Sequence, residues 1–347
     1  MNIEFDRTKL KIKSLKQRIH DINLNIIKDL EPSSFCHKSI DEVACRLIAA
    51  KKNERPMILM IGAHVIRASV QLYLIDLIKR GYISCVAMNG GGMIHDFEFA
   101  LIGATTENVE RYIKEGQFGL WKETGMLNNI INEAYKKNDS AGMGETIGRA
   151  IESGDFPHKN LSLLAAGYRL GIPVTIHVGI GYDIIHEHPN CDGAATGALS
   201  YNDFLKLASV VQCLEGGLVM NFGSAVMAPE VFLKALSMAR NVAYQNGKLI
   251  NHFTTLVCDL HDLPSNFSKE PPKDSPAYYF RPWKTMLVRT VADGGKSYYA
   301  KGRHSETIPA LWTAINDAEN PRITQIIADN KTKKGSLQSG KSVDDME

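Results

Sequence analysis

The sequence predicts an α/β protein with a doubly wound parallel sheet. Short apolar runs typical of buried strands alternate with segments that have helical spacing, and the first two runs are RPMILMIGAHV and ISCVAMN. Each run ends in a glycine or a polar residue, as strands do where an open α/β sheet forms its ligand crevice. The length of 347 residues suits one large domain of this class.

The N-terminal residues predict a helical extension ahead of the sheet. Apolar side chains recur at helical spacing through residues 5–30, so we expect a helix there. The spacing of Ser39 and Glu42 is that of a capping box and predicts the start of a second helix. Residues 1–50 are therefore expected to form a helical arm.

Strands, helices and turns then follow in the order of a parallel sheet. A first strand ends at Gly62, a helix runs from Ser69 to Arg80, and a second strand leads through glycines into a helix starting near His95. Three more pairs follow, with helices over 160–170, 201–210 and 229–243 and strands over 172–180, 217–226 and 250–260. These five strands place the catalytic domain within residues 51–328.

Two later segments lack the pattern of strands and helices. Residues 262–282 are rich in Pro and Ser, which predicts a long surface loop of the kind that is often functional. Residues 329–347 are poor in apolar side chains and are expected to form a disordered tail.

Composition narrows the class of protein further. Apolar residues make up 44% and charged residues 22%, which excludes disorder for most of the chain. Lys and Arg number 40 against 38 Asp and Glu, and without a basic excess nucleic acid is not expected as the main partner. Apolar runs are too short to span a bilayer, no signal-peptide pattern is present, and the six cysteines form no C-x-x-C pair. We therefore expect a cytoplasmic protein with no membrane partner.

The first candidate site is a glycine run between a strand and a helix. It consists of Asn89, Gly90, Gly91 and Gly92 and is followed by His95 and Asp96. Glycines there let backbone N–H groups approach a pyrophosphate, and the helix dipole favours the anion, so we expect dinucleotide binding. The spacing differs from G-x-G-x-x-G, and a plain turn with Asp96 as its N-cap is the alternative.

Other strand ends are expected to line the same crevice. Gly223 and Ser224 follow Asn221 at a second turn of small residues, where a ligand could approach closely or a helix could pack tightly on the sheet. Gly62 and Asp259 end two further strands. We expect these residues to contact the nucleotide.

Histidines and carboxylates cluster after the third predicted strand. The cluster contains His177, Asp183, His186, Glu187 and His188. These side chains could ligate a metal, but the His-Glu-x-x-His spacing is missing, and we predict no metal site. Instead we expect His186 and His188 to transfer protons and Asp183 to bind substrate, with a solvated polar loop as the alternative.

A lysine beside a tryptophan is the last candidate. Lys284 follows Trp283, and a lysine desolvated by a large aromatic ring can attack carbonyls or imines. Most lysines are solvated surface groups, which is the alternative here. We expect Lys284 to be catalytic and Trp283 to contact substrate.

Taken together, these features resemble the deoxyhypusine synthase family from about residue 57 to 315. The resemblance rests on the turn from Gly91 to Asp96, on Phe222-Gly223-Ser224, and on Trp283-Lys284 with a helix after it. It implies a Rossmann-like fold, NAD as cofactor and a homotetramer. It also implies a transferase that oxidises a polyamine to an imine and passes the alkylamine group to an enzyme lysine, here Lys284, and then to a protein acceptor.

Some residues depart from that family. The loop Ile180-Gly181-Tyr182-Asp183 replaces the family's Thr-Asp-Gly-Ser, and Trp283-Lys284 is one residue shorter than its Trp-Gly-Lys. The substrate amine could therefore be a polyamine or an amino acid. The element ending in His95-Asp96 is also similar to the NAD-containing ornithine cyclodeaminase domains, which implies a lyase without a lysine adduct. A non-catalytic nucleotide-binding protein is the remaining alternative.

Overall fold

Eight strands and eleven α-helices are present in the computed structural model, which describes residues 4–137 and 140–320. The strands are β1 (Ile22–Asn23), β2 (Met57–Ile61), β3 (Cys85–Asn89), β4 (Ala104–Thr105), β5 (Val174–His177), β6 (Leu218–Phe222), β7 (Thr254–Asp259) and β8 (Lys296–Lys301). The helices are α1 (Lys38–Lys52), α2 (Ala63–Arg67), α3 (Gln71–Lys79), α4 (Gly90–Ile102), α5 (Val109–Lys114), α6 (Met126–Lys136), α7 (Met143–Ser153), α8 (Leu163–Leu170), α9 (Gly193–Val211), α10 (Met227–Gln245) and α11 (His304–Glu319). None of the described helices is both long and apolar enough to cross a membrane.

Six of the strands form one sheet in the order β5-β3-β2-β6-β7-β8, and every neighbouring pair is parallel. Counted along the chain, this is the order 3-2-1-4-5-6 of a Rossmann-like dinucleotide-binding sheet. The predicted doubly wound α/β fold is confirmed. The strand order reverses between β2 and β6, so the ligand crevice of such a sheet is expected outside their carboxyl ends.

Helices cover both faces of the sheet, which is why β2 reads as an uninterrupted apolar run. All five residues of β2 are buried. Leu59 and Ile61 belong to the core on one face, while Ile58 and Met60 belong to the core on the other. Side chains alternate in the same way along β3, where Val86 belongs to the core on the same face as Leu59. This double burial fixes the register of the strands whose ends build the site.

The N-terminal arm differs from its prediction. No α-helix forms within the described part of residues 5–30, where the chain instead makes 3-10 turns and the short strand β1. The side chains of Asp6, Ser14 and Asn23 each accept a hydrogen bond from a backbone N–H two residues later, and such local bonds compete with helix formation. The helix prediction was wrong, and the arm lies extended on the domain, with β1 antiparallel to β4.

Several helix starts also differ from prediction, and α9 begins at Gly193 rather than at residue 201. The N-cap of α1 is His37, whose Nδ1 accepts from Ser39 N, so the predicted capping box does not form. The helix expected to start near His95 starts at Gly90, because the side chain of Asn89 caps it and accepts from Gly92 N at 3.0 Å. The glycine run is therefore the first turn of α4 rather than a loop.

The C-terminal part contains one strand that the sequence pattern missed. The last strand predicted from the sequence ends at residue 260, but Lys296 begins β8, the sixth strand of the sheet. Residues 262–282 carry no strand and no α-helix, as predicted. The predicted tail over 329–347 lies outside the described residues.

Candidate functional site

The carboxyl ends of the predicted strands lie at one edge of the sheet because the strands are parallel. Asn89 at the end of β3 is paired with His177 at the end of β5. Ile61, at the end of β2, is likewise paired with Phe222, at the end of β6. Gly62 and Gly223 follow these two strands and face each other at the point where the strand order reverses.

This junction of Gly62 and Gly223 is tightly packed. A Cβ atom on Gly62 would collide with the backbone carbonyl of Gly223, and Gly62 N donates to Phe222 O at 3.1 Å. Gly223 has a φ of 65°, in the left-handed region that favours glycine. The imidazole of His304 lies against Gly223, and its Nδ1 is buried without a hydrogen-bond partner within the described part of the chain. A buried ring nitrogen without a partner can bind a ligand group that reaches this junction.

Ser224 and Asn221 build the turn beside that junction. Ser224 N donates to Asn221 Oδ1 at 3.1 Å, and Asn221 Nδ2 donates to Ser224 O at 2.9 Å. Ser224 Oγ accepts from Ala228 N in the first turn of α10. Both side chains therefore hold the loop between β6 and α10 in place. Asp259 ends β7, and its carboxylate accepts from Leu260 N.

The glycine run forms the N-terminus of α4, and a carboxylate of this same chain lies against it. Gly91 N donates to the Asp183 side chain, and a Cβ on Gly90 would collide with that carboxylate. Burial raises the pKa of Asp183 to about 6, although the bond from Gly91 opposes this rise. The anion at this helix N-terminus is thus Asp183, at the place where the sequence predicts a pyrophosphate.

A cavity of about 210 Å³ opens beside the first turns of α4, and we call it the His95 cavity. It is lined by Arg18, Arg67, Gly91, Ile94, His95, Glu98, Thr106, Glu107, Val109, Phe118, Tyr182, Asp183 and Ile184. Charged and apolar side chains therefore meet in one concave site, which is the usual composition of a small-molecule pocket.

His95 is held on one side by a chain of buried polar groups. His95 Nδ1 lies 2.7 Å from Thr105 Oγ1, and Thr105 Oγ1 donates to Glu98 Oε2 at 2.7 Å. Glu98 is paired with Arg18 of the N-terminal arm through two bonds of 2.9 and 2.7 Å. Burial lowers the pKa of His95 to about 4, with Glu98 opposing and Arg67 adding to the effect. His95 is therefore a neutral imidazole at pH 7.

Two of the three carboxylates that line the cavity, Glu107 and Asp183, form no ion pair among the described residues, whereas Glu98 is paired with Arg18. Glu107 accepts from Gly119 N and from Trp121 Nε1, and burial raises its pKa. Asp183 accepts from backbone N–H groups and forms no ion pair in the described structure. A positively charged ligand group would relieve the cost of burying both charges.

Two further features mark the wall of the cavity. Thr106 has a φ of 67°, which is strained for a β-branched residue, and its hydroxyl is buried with no partner within the described ranges. Arg67 also has a buried Nε without a partner there, and its Nη1 lies 3.5 Å from His64 Nε2. Strain and unsatisfied donors of this kind concentrate at functional sites.

The other predicted histidines lie outside the lining of the His95 cavity. His188 is buried, and its Nε2 donates to Gly119 O at 2.8 Å. His186 Nδ1 accepts from Gly181 N and Asp183 N at 3.2 Å each, so His186 shapes the loop that carries Asp183. His177 Nε2 lies 2.9 Å from Thr175 Oγ1, and burial lowers the pKa of His177 to about 4. Within residues 4–137 and 140–320, no cluster of three His, Cys, Asp or Glu side chains could hold a metal.

Asp96, Lys284 and Trp283 are also placed apart from the cavity. The buried carboxylate of Asp96 accepts from Leu163 N at 2.8 Å at the start of α8, so Asp96 caps that helix and not its own. Lys284 is buried on a π-helical segment, with Nζ 3.6 Å from the centroid of the Tyr278 ring. Trp283 Nε1 donates to Phe267 O at 3.0 Å.

Four charged residues of the cavity were missed by the sequence analysis, namely Arg18, Arg67, Glu98 and Glu107. Glu98 lies three residues after His95 on the same helix face, a spacing that could have shown it. Arg18 had no local signal, because its partner Glu98 is 80 residues away.

The comparisons with known proteins give no family for this chain. No family model matches the sequence, and no curated protein matches it. Similar solved structures include AgrE in a ternary complex with ornithine and NAD+, with 13% identity and a TM-score of 0.47. They also include a conserved protein assigned to LOR/SDH from Methanococcus maripaludis S2, with 16% identity and a TM-score of 0.49. A protein assigned as a deoxyhypusine synthase from Entamoeba histolytica has 9% identity and a TM-score of 0.43.

The extent of these matches differs between the three structures. They cover 81%, 84% and 80% of this chain, and 33%, 72% and 86% of the respective solved chain. The chain thus spans about a third of the length of AgrE. Likenesses this distant carry no information about the reaction.

We expect the contribution of His95 to the free energy of unfolding to fall as the pH is lowered from about 6.5 to about 4. The folded chain keeps His95 neutral down to a pKa of about 4, whereas the ordinary value is 6.5, so protons bind preferentially to the unfolded chain in this range. The difference corresponds to about 3 kcal/mol. Urea unfolding at pH 7 and pH 4.5 measures it, and His95→Gln should lose less stability than the parent. Equal losses in both proteins would contradict the neutral state of His95.

Proposed function

We propose that this chain is an NAD-dependent enzyme that oxidises an amine substrate in the His95 cavity. The observation that carries the proposal is a neutral imidazole in a cavity where two carboxylates, Glu107 and Asp183, form no ion pair among the described residues. Because hydride can leave a carbon beside nitrogen only when the amine is neutral, the site needs a proton acceptor there. A neutral imidazole supplies the acceptor, and the two nearby carboxylates supply the binding charge.

The cofactor would be held at the junction of β2 and β6. The residues there fit a dinucleotide, because His304 has a buried ring nitrogen without a partner in the described chain, beside the two loops that follow these strands. Gly62, Gly223 and Ser224 would contact the dinucleotide, with Asp259 at the neighbouring strand end. The sequence predicted that the glycine run would bind the pyrophosphate. In this proposal it does not, because the N–H of Gly91 already donates to Asp183. When bound, NAD supplies the hydride acceptor for the oxidation.

The residues of the cavity divide the remaining tasks. Glu107 and Asp183 bind the substrate ammonium group, and the raised pKa of each carboxyl falls as that cation arrives. His95 takes the ammonium proton on its ring nitrogen, which leaves a neutral amine beside the carbon that loses hydride. Ile94, Val109 and Phe118 exclude water from the apolar part of the substrate.

The fate of the imine separates two candidate reactions. In a deoxyhypusine synthase-like transferase, the amine of Lys284 attacks the imine carbon and the displaced amine leaves, so an alkylamine group passes to the enzyme. In an ornithine cyclodeaminase-like lyase, ammonia leaves and hydride returns without a lysine adduct. The position of Lys284 under Tyr278, outside the lining of the cavity, favours the second reaction.

Absorbance at 340 nm tests the proposal directly. The protein is mixed rapidly with NAD and each of a panel of polyamines and amino acids, and we expect one of them to form NADH, which appears only transiently if hydride returns as in the lyase. His95→Gln should reduce the rate at least tenfold. The matched control is His177→Gln, which removes an equally neutral and buried imidazole outside the cavity lining. Binding of NAD without oxidation of any amine would instead identify a non-catalytic nucleotide-binding protein.

Borohydride reduction during turnover tests the role of Lys284. A transferase should yield a covalent adduct on Lys284 that mass spectrometry locates, and Lys284→Arg should abolish both adduct and turnover. A lyase should give no adduct, and the Arg variant should keep part of its activity. Trapping on a different lysine would contradict the assignment of Lys284.

We also propose that the chain forms a homo-oligomer, with a tetramer as the expected state. The arm exposes apolar side chains at Phe5 and Ile19, which are 79% and 58% exposed, and Ile113 on α5 is 60% exposed. A surface of this kind is stabilised when another subunit covers it. Light scattering at micromolar concentration should give a multiple of the 38.4 kDa chain mass, and a monomer mass would contradict the proposal.

A further inference from the structure

We propose that Arg18 of the N-terminal arm is a positioning residue for His95. Acting through Glu98 and Thr105, it keeps the proton of the His95 ring on Nδ1, so that Nε2 is the atom that accepts the substrate proton. This inference rests on the proposed role of His95 and names the atom and the residues that make that role possible. It also assigns a function to the arm, which the sequence marks only as an extension.

The direction of each hydrogen bond follows from the carboxylate at the centre. Glu98 receives both Arg18 nitrogens, at 2.9 and 2.7 Å, and is 1% exposed, so it is ionised and can only accept. The hydroxyl hydrogen of Thr105 must therefore point to Glu98 Oε2. Thr105 Oγ1 then has only lone pairs left for His95 Nδ1, 2.7 Å away, so Nδ1 carries the hydrogen.

The other ring nitrogen is then fixed as well. A neutral imidazole has one hydrogen, so Nε2 is a bare acceptor. His95 Nε2 has no hydrogen-bond partner among the described residues, and His95 lines the cavity. The charged groups facing His95 are Arg18 from the arm, Arg67 from α2 and Glu98 from α4, with His64 also near. In the described structure, none of these groups accepts a hydrogen bond from Nε2 of His95.

Arg18 determines the outcome because it keeps Glu98 charged. Without that guanidinium, a carboxyl as buried as Glu98 would hold a proton and could donate it to Thr105. The hydroxyl of Thr105 could then donate to His95, and the hydrogen of the ring would move to Nε2. The arm also holds Thr105 through its backbone, since Ile22 of β1 is paired with Thr105 of β4.

Nitrogen NMR of the histidine rings tests the network without any substrate. In the parent protein at pH 7, we expect the His95 ring to show a protonated Nδ1 and a bare Nε2. Thr105→Val removes the acceptor of Nδ1 and should populate the opposite tautomer, whereas Thr105→Ser should restore the parent spectrum. Thr124→Val is the matched control, because Thr124 also donates to Glu98, at 2.6 Å, but makes no bond to His95.

Turnover gives the second readout. If an amine is oxidised, Thr105→Val should lower kcat by about 10–100-fold, which is the range found when a group that hydrogen-bonds to a metal-bound histidine is removed. Thr105→Ser should recover most of the lost kcat. A parent ring with its hydrogen on Nε2, or an unchanged tautomer in Thr105→Val or in Arg18→Met, would overturn the proposal. The expected spectra without oxidation of any amine would instead leave the network standing and count against the proposed function.

Discussion

Replacing Arg18 with methionine is expected to lower the free energy of unfolding by about 3–5 kcal/mol. The side chains of Arg18 and Glu98 are each 1% exposed, so the variant leaves a buried carboxylate without its partner. Burial alone would raise the pKa of Glu98, and the Arg18 guanidinium with two threonine hydroxyls brings it below the ordinary value instead. Urea unfolding at pH 7 measures the loss.

Two further variants show whether the burial of the pair is the cause. Arg111→Met removes an arginine from the exposed pair with Glu115, and it should change stability by no more than about 0.5 kcal/mol. The double variant Arg18→Met with Glu98→Leu should recover much of the loss, because no buried charge remains. A small effect of Arg18→Met, comparable with that of Arg111→Met, would mean that the pair of Arg18 and Glu98 adds little to the free energy of unfolding.

Changing Gly62 to alanine should destabilise the fold and weaken NAD binding together. The added Cβ would collide with the carbonyl of Gly223, so the two loops must separate, at a cost of about 1–3 kcal/mol. Because the dinucleotide is proposed to lie across this junction, we also expect at least a tenfold weaker affinity, or about 1.4 kcal/mol. Thermal unfolding and titration calorimetry measure the two effects.

Gly91→Ala is the matched control on the glycine run. A Cβ there would meet the Cβ of Ala63 at 3.4 Å, an ordinary contact. Alanine also costs less than glycine inside a helix, so this variant should be neutral or more stable by up to about 1 kcal/mol. If Gly91→Ala weakens NAD binding as much as Gly62→Ala does, the cofactor contacts the glycine run after all.

The sheet could be predicted because its strands are buried on both faces. A segment such as β2 must then be apolar throughout, and this signal lies within five consecutive residues. Strand β8 gave no such signal because it reads KSYYAK, with its first and last residues exposed. The arm misled the prediction for a related reason, since its apolar spacing fits a helix while its polar side chains cap single turns.

The sequence placed several candidate residues at strand ends. Gly62, Asn89 and Gly223 were singled out because a sheet of this class binds ligands at strand ends, and their contact with a nucleotide stays a prediction. The pairing of Arg18 with Glu98 depends on how the arm folds back across 80 residues, which no local pattern encodes. His95 was singled out in the sequence as a nucleotide contact, and its proposed role in proton transfer rests on the hydrogen bonds around its ring, which no local pattern predicts.

The carboxylate of Asp183 at the start of α4 also affects which anions can reach that helix. A group tethered by a short loop is present at an effective concentration on the order of millimolar. A dissolved anion such as inorganic phosphate must therefore exceed that concentration, or bind much more tightly, before it replaces Asp183 on Gly91 N. Free phosphate at lower concentrations is consequently kept from the helix end beside the His95 cavity, which stays selective for ligands that make further contacts.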